Sequence, residues 1–401
     1  MDIETDDELT TWSELLHPRF SPVHRLSDGA AAAVTVQVTG PPNTAIAQPH
    51  ALVHAARQMG LERVVDATRL AAAQAVRSTA ADLPLLVTID LFSPGVATSD
   101  TSAEAAAVSV RPQDLLHRPH RTIAAVQAAR RAGRSVWVDG LGIDDAAMTL
   151  LALIEPDVVV VDRQVMQIGS SPRLGTFVHA LSAHVQETST VVIADGVDSA
   201  RHLQVAQTLG ATHGMGEAFP AVDHPGMVVG PRVPMSIGTR AQGDPTEPTT
   251  PYTICAGSHR ARTGSKRLLI EMSKALEAQA AASGGAVVVL GTFQHARHFT
   301  VATSLRWDRL AQTTALAGVY GVGVRSMTDG AVVHAALDPD DPLADEWNVA
   351  VLAPHFSALL AARDRHDGAD DLDRTFDFVQ TYDRATVTRA IHAILDRFSA
   401  A

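Results

Sequence analysis

Four consecutive valines constrain this chain more than any other stretch. Asp157-Val158-Val159-Val160-Val161-Asp162-Arg163 is β-branched throughout its middle and bounded by charge, which reads as a short strand apolar on both faces. Such a strand has to be covered on both sides, the condition met inside parallel sheets. Ser135-Val136-Trp137-Val138-Asp139-Gly140 is a second run of the same kind. Both carry an aspartate where the apolar run stops, and a polar residue at the end of a buried strand is a candidate site residue.

Around these runs the chain alternates. Phe20–Leu26 and Ala33–Val38 flank Ser27-Asp28-Gly29 and read as a hairpin. A long alanine-rich stretch from about His50 to Ala80 has Leu52, Met59, Val64 and Leu70 at helical spacing. Then come Leu85–Asp90, Ala106–Val110, a helix from Pro119 to Ala132 stopped by Gly133, the first run above and a helix over Ala146–Leu153. The valine run, a helix over Thr176–Glu187, Thr190–Asp195 and a helix over Ser199–Leu209 ending at Gly210 complete the series. Strand and helix in regular alternation predict an α/β fold, and this many units in about 200 residues favour a closed (β/α) barrel of the TIM type.

Four of the predicted strands end in acids, Asp90, Asp139, Asp162 and Asp195. In a parallel barrel these carboxyl ends share one face, so the four are expected to converge at its mouth, where barrel enzymes place their chemistry. Convergent carboxylates repel one another and attract a hard cation; aspartates at strand ends also cap helices and close turns.

Composition removes several classes of function. The 401 residues carry a formal net charge of −12, which argues against a nucleic-acid partner or an anionic membrane surface. No apolar run reaches the length of a membrane span, and the first residues, Met1-Asp2-Ile3-Glu4-Thr5-Asp6-Asp7-Glu8, are acidic, unlike a signal peptide, so a cytoplasmic location is expected. The single cysteine, Cys255, excludes an intrachain disulfide. Lys266 and Lys274 are the only lysines, so any mechanism needing a lysine earlier in the chain is ruled out.

Residues from about Phe20 to Phe219 resemble the EAL domain, the barrel phosphodiesterase of cyclic di-GMP signalling. The likeness is carried by Val192-Ile193-Ala194-Asp195-Gly196-Val197-Asp198-Ser199 with Leu203, Leu209, Gly210, Gly216 and Phe219, by Val138-Asp139-Gly140-Leu141-Gly142, and by Pro156-Asp157-Val158 through Val161-Asp162-Arg163. The resemblance implies a two-metal hydrolase in which acids and an asparagine hold Mg²⁺ or Mn²⁺, assisted by a lysine and a glutamate. Position by position, the family's naming glutamate falls on Thr35, the arginine after it on Thr39 and the metal-binding asparagine on Asp90. Its Glu-Ile-Thr-Glu strand falls on Ser109-Val110-Arg111-Pro112, its second paired aspartate on Gly140, its lysine on Val160 and its late glutamine on Met215. Only Asp139 and Asp162 match outright, with Asp195 in place of a glutamate. Losing one such group costs a metal hydrolase a factor of about 10² or more, so the expectation is a degenerate barrel with no catalytic residues, no bound metal and no cofactor.

Asp223–Pro251, rich in Pro, Gly and Thr, reads as a linker. The expected organisation is therefore a barrel over 1–222, a linker over 223–250 and a second, smaller α/β domain over 251–401. In that second half the pattern predicts a helix over Ser265–Ala282, a strand over Ala286–Leu290, a helix running on through Leu316, a strand over Gly318–Val324, a strand over Asn348–Leu352, a helix over Phe356–Arg363, a strand near Phe376–Val379 and a final helix from Arg384. Leu268–Glu277, Gly291–Phe299, Arg306–Leu310 and Tyr320-Gly321-Val322-Gly323 resemble the DICT domain, a sensory module found beside cyclic di-GMP enzymes and two-component proteins. That resemblance implies signal sensing, light responses among them, and fixes no ligand. Gln294, His295, Arg297 and His298 form a polar loop after a core strand and are the candidate ligand contacts there, beside Asp90, Asp139, Asp162 and Asp195 at the barrel mouth.

The functional expectation is a bacterial signalling regulator without enzymatic activity, its sensory half reading a small-molecule signal and its barrel docking a protein partner or a second copy of the chain. Homodimerisation is carried over from the EAL resemblance. Two alternatives stand beside it: a nucleotide or metabolite receptor binding at the barrel mouth without hydrolysis, and a light or redox sensor working through the second half.

Overall fold

A computed structural model describes residues 12, 15–77, 82–93, 106–111, 118–238, 250–327 and 331–397. The acidic tail and the 239–249 part of the predicted linker lie outside the described residues. The chain divides into two compact units, one made of residues 1–111, 125–143 and 156–242, the other of residues 112–124, 144–155 and 243–401.

The first unit holds a nine-stranded sheet. Its strands are β1 (His17–Arg25), β2 (Ala31–Thr39), β3 (Leu85–Leu86), β4 (Thr88–Asp90), β5 (Ala107–Val110), β6 (Val136–Leu141), β7 (Val158–Val161), β8 (Val191–Asp195) and β9 (His213–Met215), in the order β3-β2-β1-β9-β8-β7-β6-β5-β4. β3 and β4 are separated by Val87 alone, so the two ends of this order are one stretch of chain and the sheet nearly closes into a barrel. β1 runs antiparallel to β2 and β9; from β4 to β9 every neighbouring pair is parallel. The valine run shows why. Val158 and Val160 join Trp137, Ile193, Met215, Ala107 and Val23 in the core, while Val159 and Val161, alternating with them, are equally buried. Burying each such side chain contributes about 1.5–3 kcal/mol.

The alanine-rich stretch predicted as one helix is two, α1 (Pro49–Met59) and α2 (Glu62–Val76). Gly60 breaks it, with φ at 69° and its N–H returned to the carbonyls of Ala56 and Arg57, a left-handed stop that glycine adopts without strain. α3 (Pro119–Arg131), α4 (Asp145–Ile154), α5 (Arg163–Gln167), α6 (Pro172–Thr188) and α7 (Ala200–Thr208) follow, and α5 is a short helix not read in the sequence. Part of the stretch read as linker is bound in place: the Val233 and Met235 amides donate to the carbonyls of Ala31 and Ala32, each at 2.9 Å, and Met235 and Ile237 pack against the barrel core.

The second unit is built on a seven-stranded sheet of β10 (Arg262–Ser265), β11 (Val288–His295), β12 (Leu316–Val322), β13 (Val332–Leu337), β14 (Glu346–Leu352), β15 (Ser357–Asp364) and β16 (Thr375–Thr381), ordered β10-β16-β15-β14-β11-β12-β13. β11, β12 and β13 are parallel and the remaining pairs antiparallel. Its helices in this part of the chain are α8 (Pro251–Ala256), α9 (Lys266–Ala282), α10 (Val301–Ala311) and α11 (Arg384–Leu395). Two sequence expectations fail here. Phe356–Arg363, predicted helical, is β15: its Ala and Leu favour helix in isolation, but nearly every residue of the strand is buried and pairing on both edges decides the outcome. The helix predicted to run through Leu316 stops at Ala311, and Leu316 opens β12. Trp307 and Tyr320 are core residues.

Candidate functional site

The parallel strands carry their acids to one end of the barrel. Asp90 closes β4, Asp139 lies near the end of β6, Asp162 follows β7 and Asp195 closes β8. A small, open cleft lies there, lined by Arg57 of α1, by Glu62, Asp66 and Arg69 of α2, and by Thr88, Asp90, Ser109 and Asp139 from the strands. Of the four predicted aspartates, only Asp90 and Asp139 line it.

Most of the acids are already engaged. Asp66 is buried and accepts from the Asp90 amide at 3.0 Å and from the Ser93 hydroxyl, with Arg69 at 3.4 Å. Its burial raises its carboxyl above the usual range and Arg69 opposes this. Asp90 accepts from the Phe92 amide at 3.0 Å and lies 3.4 Å from Arg111, which also reaches Glu62 at 3.6 Å. Asp162 caps α5, accepting from the Gln164 amide at 2.7 Å. Asp195 is pushed up to about 6, chiefly by burial and against the pull of Arg163. Asp139 is open to solvent, yet it lies at the bottom of a concave site; the surrounding protein raises its carboxyl, and Arg69 and Arg57 oppose the rise.

Arg57, Asp66, Arg69 and Arg111 were not predicted as site residues. Asp66 and Arg69 are one helical turn apart, a spacing visible in the sequence. The absence of lysine before residue 266 also meant that any cation facing these acids had to be arginine or histidine. Which arginines converge depends on the break at Gly60 and on barrel closure, neither of which periodicity fixes.

The residues present do not fit the divalent metal that the EAL resemblance implies. Among the described residues no three of His, Cys, Asp and Glu are placed to hold a metal ion. Asp90 faces a guanidinium and Asp162 a backbone amide. Val160 and Met215, 4% and 8% exposed, belong to the apolar core.

The second polar cluster lies at the end of β11. Gln294 is buried with φ at 55°, and its amide donates to the Asp345 carbonyl at 3.3 Å and to Asp364 at 3.5 Å. Asp364 in turn holds Arg374; Arg374 reaches Asp371 at 3.0 Å, and Asp371 accepts twice from Lys266 at 2.7 Å. Lys266 also donates to Nδ1 of His298 at 3.4 Å, and the His295 and His298 rings are 6.1 Å apart. Burial first, then Lys266, lowers His298 to about 4, so its ring is neutral at pH 7. Its Nε2 is buried without a partner, and Arg297 is exposed. Lys266, Asp364, Asp371 and Arg374 were not anticipated; they are scattered through the sequence and meet only in the folded sheet. Cys255 is buried and its thiol is pushed up to about 11, which leaves it poorly nucleophilic.

Comparison with known families matches residues 12–221 to the EAL domain and residues 255–365 to DICT, described as a sensory domain in diguanylate cyclases and two-component systems. No curated protein matches the chain. Similar solved structures include the apo S helix-GGDEF-EAL portion of Vibrio cholerae LapD, at 16% identity and TM-score 0.44 over 55% of this chain and 58% of that one. The FimX EAL domain of Xanthomonas citri, solved with c-diGMP, aligns at 16% identity and TM-score 0.43 over 58% of this chain and 98% of its own. An EAL domain protein from Listeria monocytogenes aligns at 12% identity and TM-score 0.42 over 56% of this chain and 95% of its own.

Proposed function

From the premise that this chain belongs to the EAL domain family and carries a DICT sensory domain after it, we propose that it is a signalling regulator whose barrel does not hydrolyse cyclic di-GMP. EAL domains are usually phosphodiesterases for that nucleotide, so the proposal is a departure within the family. The observation that carries it is the placement of Val160 and Met215, at the positions corresponding to the family's lysine and glutamine, inside the apolar core. A buried valine neither relays a proton nor neutralises a phosphate. Arg111 beside Asp90 supports the same reading, because a guanidinium already supplies the positive charge that a metal would bring.

In this reading residues 1–222 form the barrel module, 223–250 a connector and 251–401 the sensory module. The barrel docks a signalling protein or a second copy of the chain, and the sensory module responds to a small molecule through His295, Arg297 and His298, with Gln294 bracing the loop they stand on. The test is a turnover assay of the full chain with cyclic di-GMP and Mg²⁺ or Mn²⁺. The expected result is no linear or mononucleotide product above the protein-free control; sustained product formation overturns the proposal.

The cleft at the mouth favours one further reading of the same module, a receptor that binds without turnover, with Asp90, Asp139, Asp162 and Asp195 shaping the site rather than acting in it.

A further inference from the structure

Hydrogen-bond donors without acceptors converge on the barrel cleft. Nε of Arg57, Nε of Arg69 and the hydroxyl of Ser109 are buried with no partner. All three residues line the cleft, and Ser109 is only 7% exposed. The large majority of buried side-chain polar atoms in folded proteins are paired, so three unpaired donors gathered around one opening point to a place for an acceptor.

The charges point the same way. Arg69 lies by Asp66 at 3.4 Å, and Arg111 lies between Asp90 at 3.4 Å and Glu62 at 3.6 Å. Arg57 pairs with no carboxylate among the described residues. Desolvation first, then repulsion by Arg111, lowers its proton affinity against the pull of Asp139 and Asp90, and an incoming negative charge would offset that desolvation and repulsion. Asp139 is the lining carboxylate that accepts from no side chain.

We infer that this cleft binds a small oxyanion, a phosphate monoester or a small carboxylate, through Arg57, Arg69 and Ser109 and without a divalent metal. The inference rests on the reading of the mouth as a non-hydrolytic site. It replaces a metal-centred site, which the donors do not fit, with a guanidinium-centred one built from α1, α2 and β5. Guanidinium groups suit this role because they present donors in a fixed fork to carboxylate or phosphate.

The test uses the full chain in EDTA at low ionic strength, titrated by calorimetry with inorganic phosphate and, separately, with malonate, and followed in parallel by thermal melting. Saturable binding of either probe at one site is expected, unchanged when Mg²⁺ replaces EDTA. Phosphate alone identifies a phosphoryl ligand and malonate alone a carboxylate. Arg57→Gln should weaken binding by about tenfold or more, as loss of a charge-assisted hydrogen bond does, and Ser109→Ala by a few-fold. Without anion, Arg57→Gln should melt at the same temperature as the parent or higher, because it removes a cation that has no partner.

Binding of neither probe overturns the inference, as does binding that requires Mg²⁺ or is indifferent to Arg57→Gln. A clear fall in melting temperature of anion-free Arg57→Gln also overturns it, since Arg57 would then be paired within the protein. Cyclic di-GMP turnover by the same preparation separates the two claims: turnover removes the non-hydrolytic premise, whereas absence of both turnover and anion binding removes this inference alone.

Discussion

The barrel mouth and the end of β11 are both polar clusters at the carboxyl ends of buried parallel strands, and they are finished differently. At β11 the chain Gln294–Asp364–Arg374–Asp371–Lys266 is closed charge for charge, each ionised group held by an opposite one, although Nε of Arg374 has no partner. At the mouth Asp66 and Asp90 are held, but among the described residues Arg57 and Asp139 have no ion-pair partner and the Ser109 hydroxyl has no hydrogen-bond partner. A closed network braces a fold; an open one has capacity for a ligand. Within the β11 cluster the same distinction separates Gln294, which is spent on the brace, from Arg297 and Nε2 of His298, which are not.

That contrast predicts where substitutions hurt. The largest effect belongs to the closed network. Asp364→Ala takes from Arg374 its buried partner and leaves it only the more exposed Asp371, and with the Asp364 side chain 1% exposed the cost should be about 3 kcal/mol, read as a drop in the denaturation midpoint. A loss under 1 kcal/mol would show that the network is not closed.

At the mouth the sign reverses. Asp195 carries a folded-state value raised to about 6 from 3.8, so the native state holds a proton that the unfolded chain releases between those values. Stability is therefore lost as pH rises from about 4 to about 6. Asp195→Asn should stabilise the protein at pH 7 by on the order of 1–2 kcal/mol, an advantage that fades below pH 4. Destabilisation at pH 7 would mean that the Asp195 carboxylate is held by a partner in the folded protein.

The remaining predictions are smaller. Gly60→Ala meets no atom within 4 Å, so its cost is the left-handed backbone alone, about 1 kcal/mol, with some loosening of the α1–α2 turn. Arg267→Ala removes an ion pair with Asp373 that is about 60% exposed on both sides, and should change the midpoint by less than about 0.5 kcal/mol. Together with Asp364→Ala it measures how much closure, rather than charge alone, contributes to the β11 cluster.

The barrel was legible in the sequence because its strands are β-branched and its helices stop at glycines such as Gly133 and Gly210, which have positive φ. β15 was not, since Ser-Ala-Leu-Leu-Ala-Ala has no strand signature and becomes one only between β14 and β16. The same limit applies to the sites. Asp90 and Asp139 could be found from strand ends, whereas Arg57, Arg69 and Arg111 lie on separate elements whose meeting is a property of closure. Acids at strand ends announced a charged mouth, and the arginines decide what kind.

The central claim is that guanidinium groups, not a divalent metal, answer the acids of the mouth. Titration of the full chain with Mn²⁺, followed by calorimetry and by the loss of the free-ion paramagnetic resonance signal, tests it directly. No stoichiometric Mn²⁺ site and no change on Asp90→Ala are expected; a one-to-one or two-to-one site abolished by that substitution would show that a metal, not a guanidinium, answers these acids.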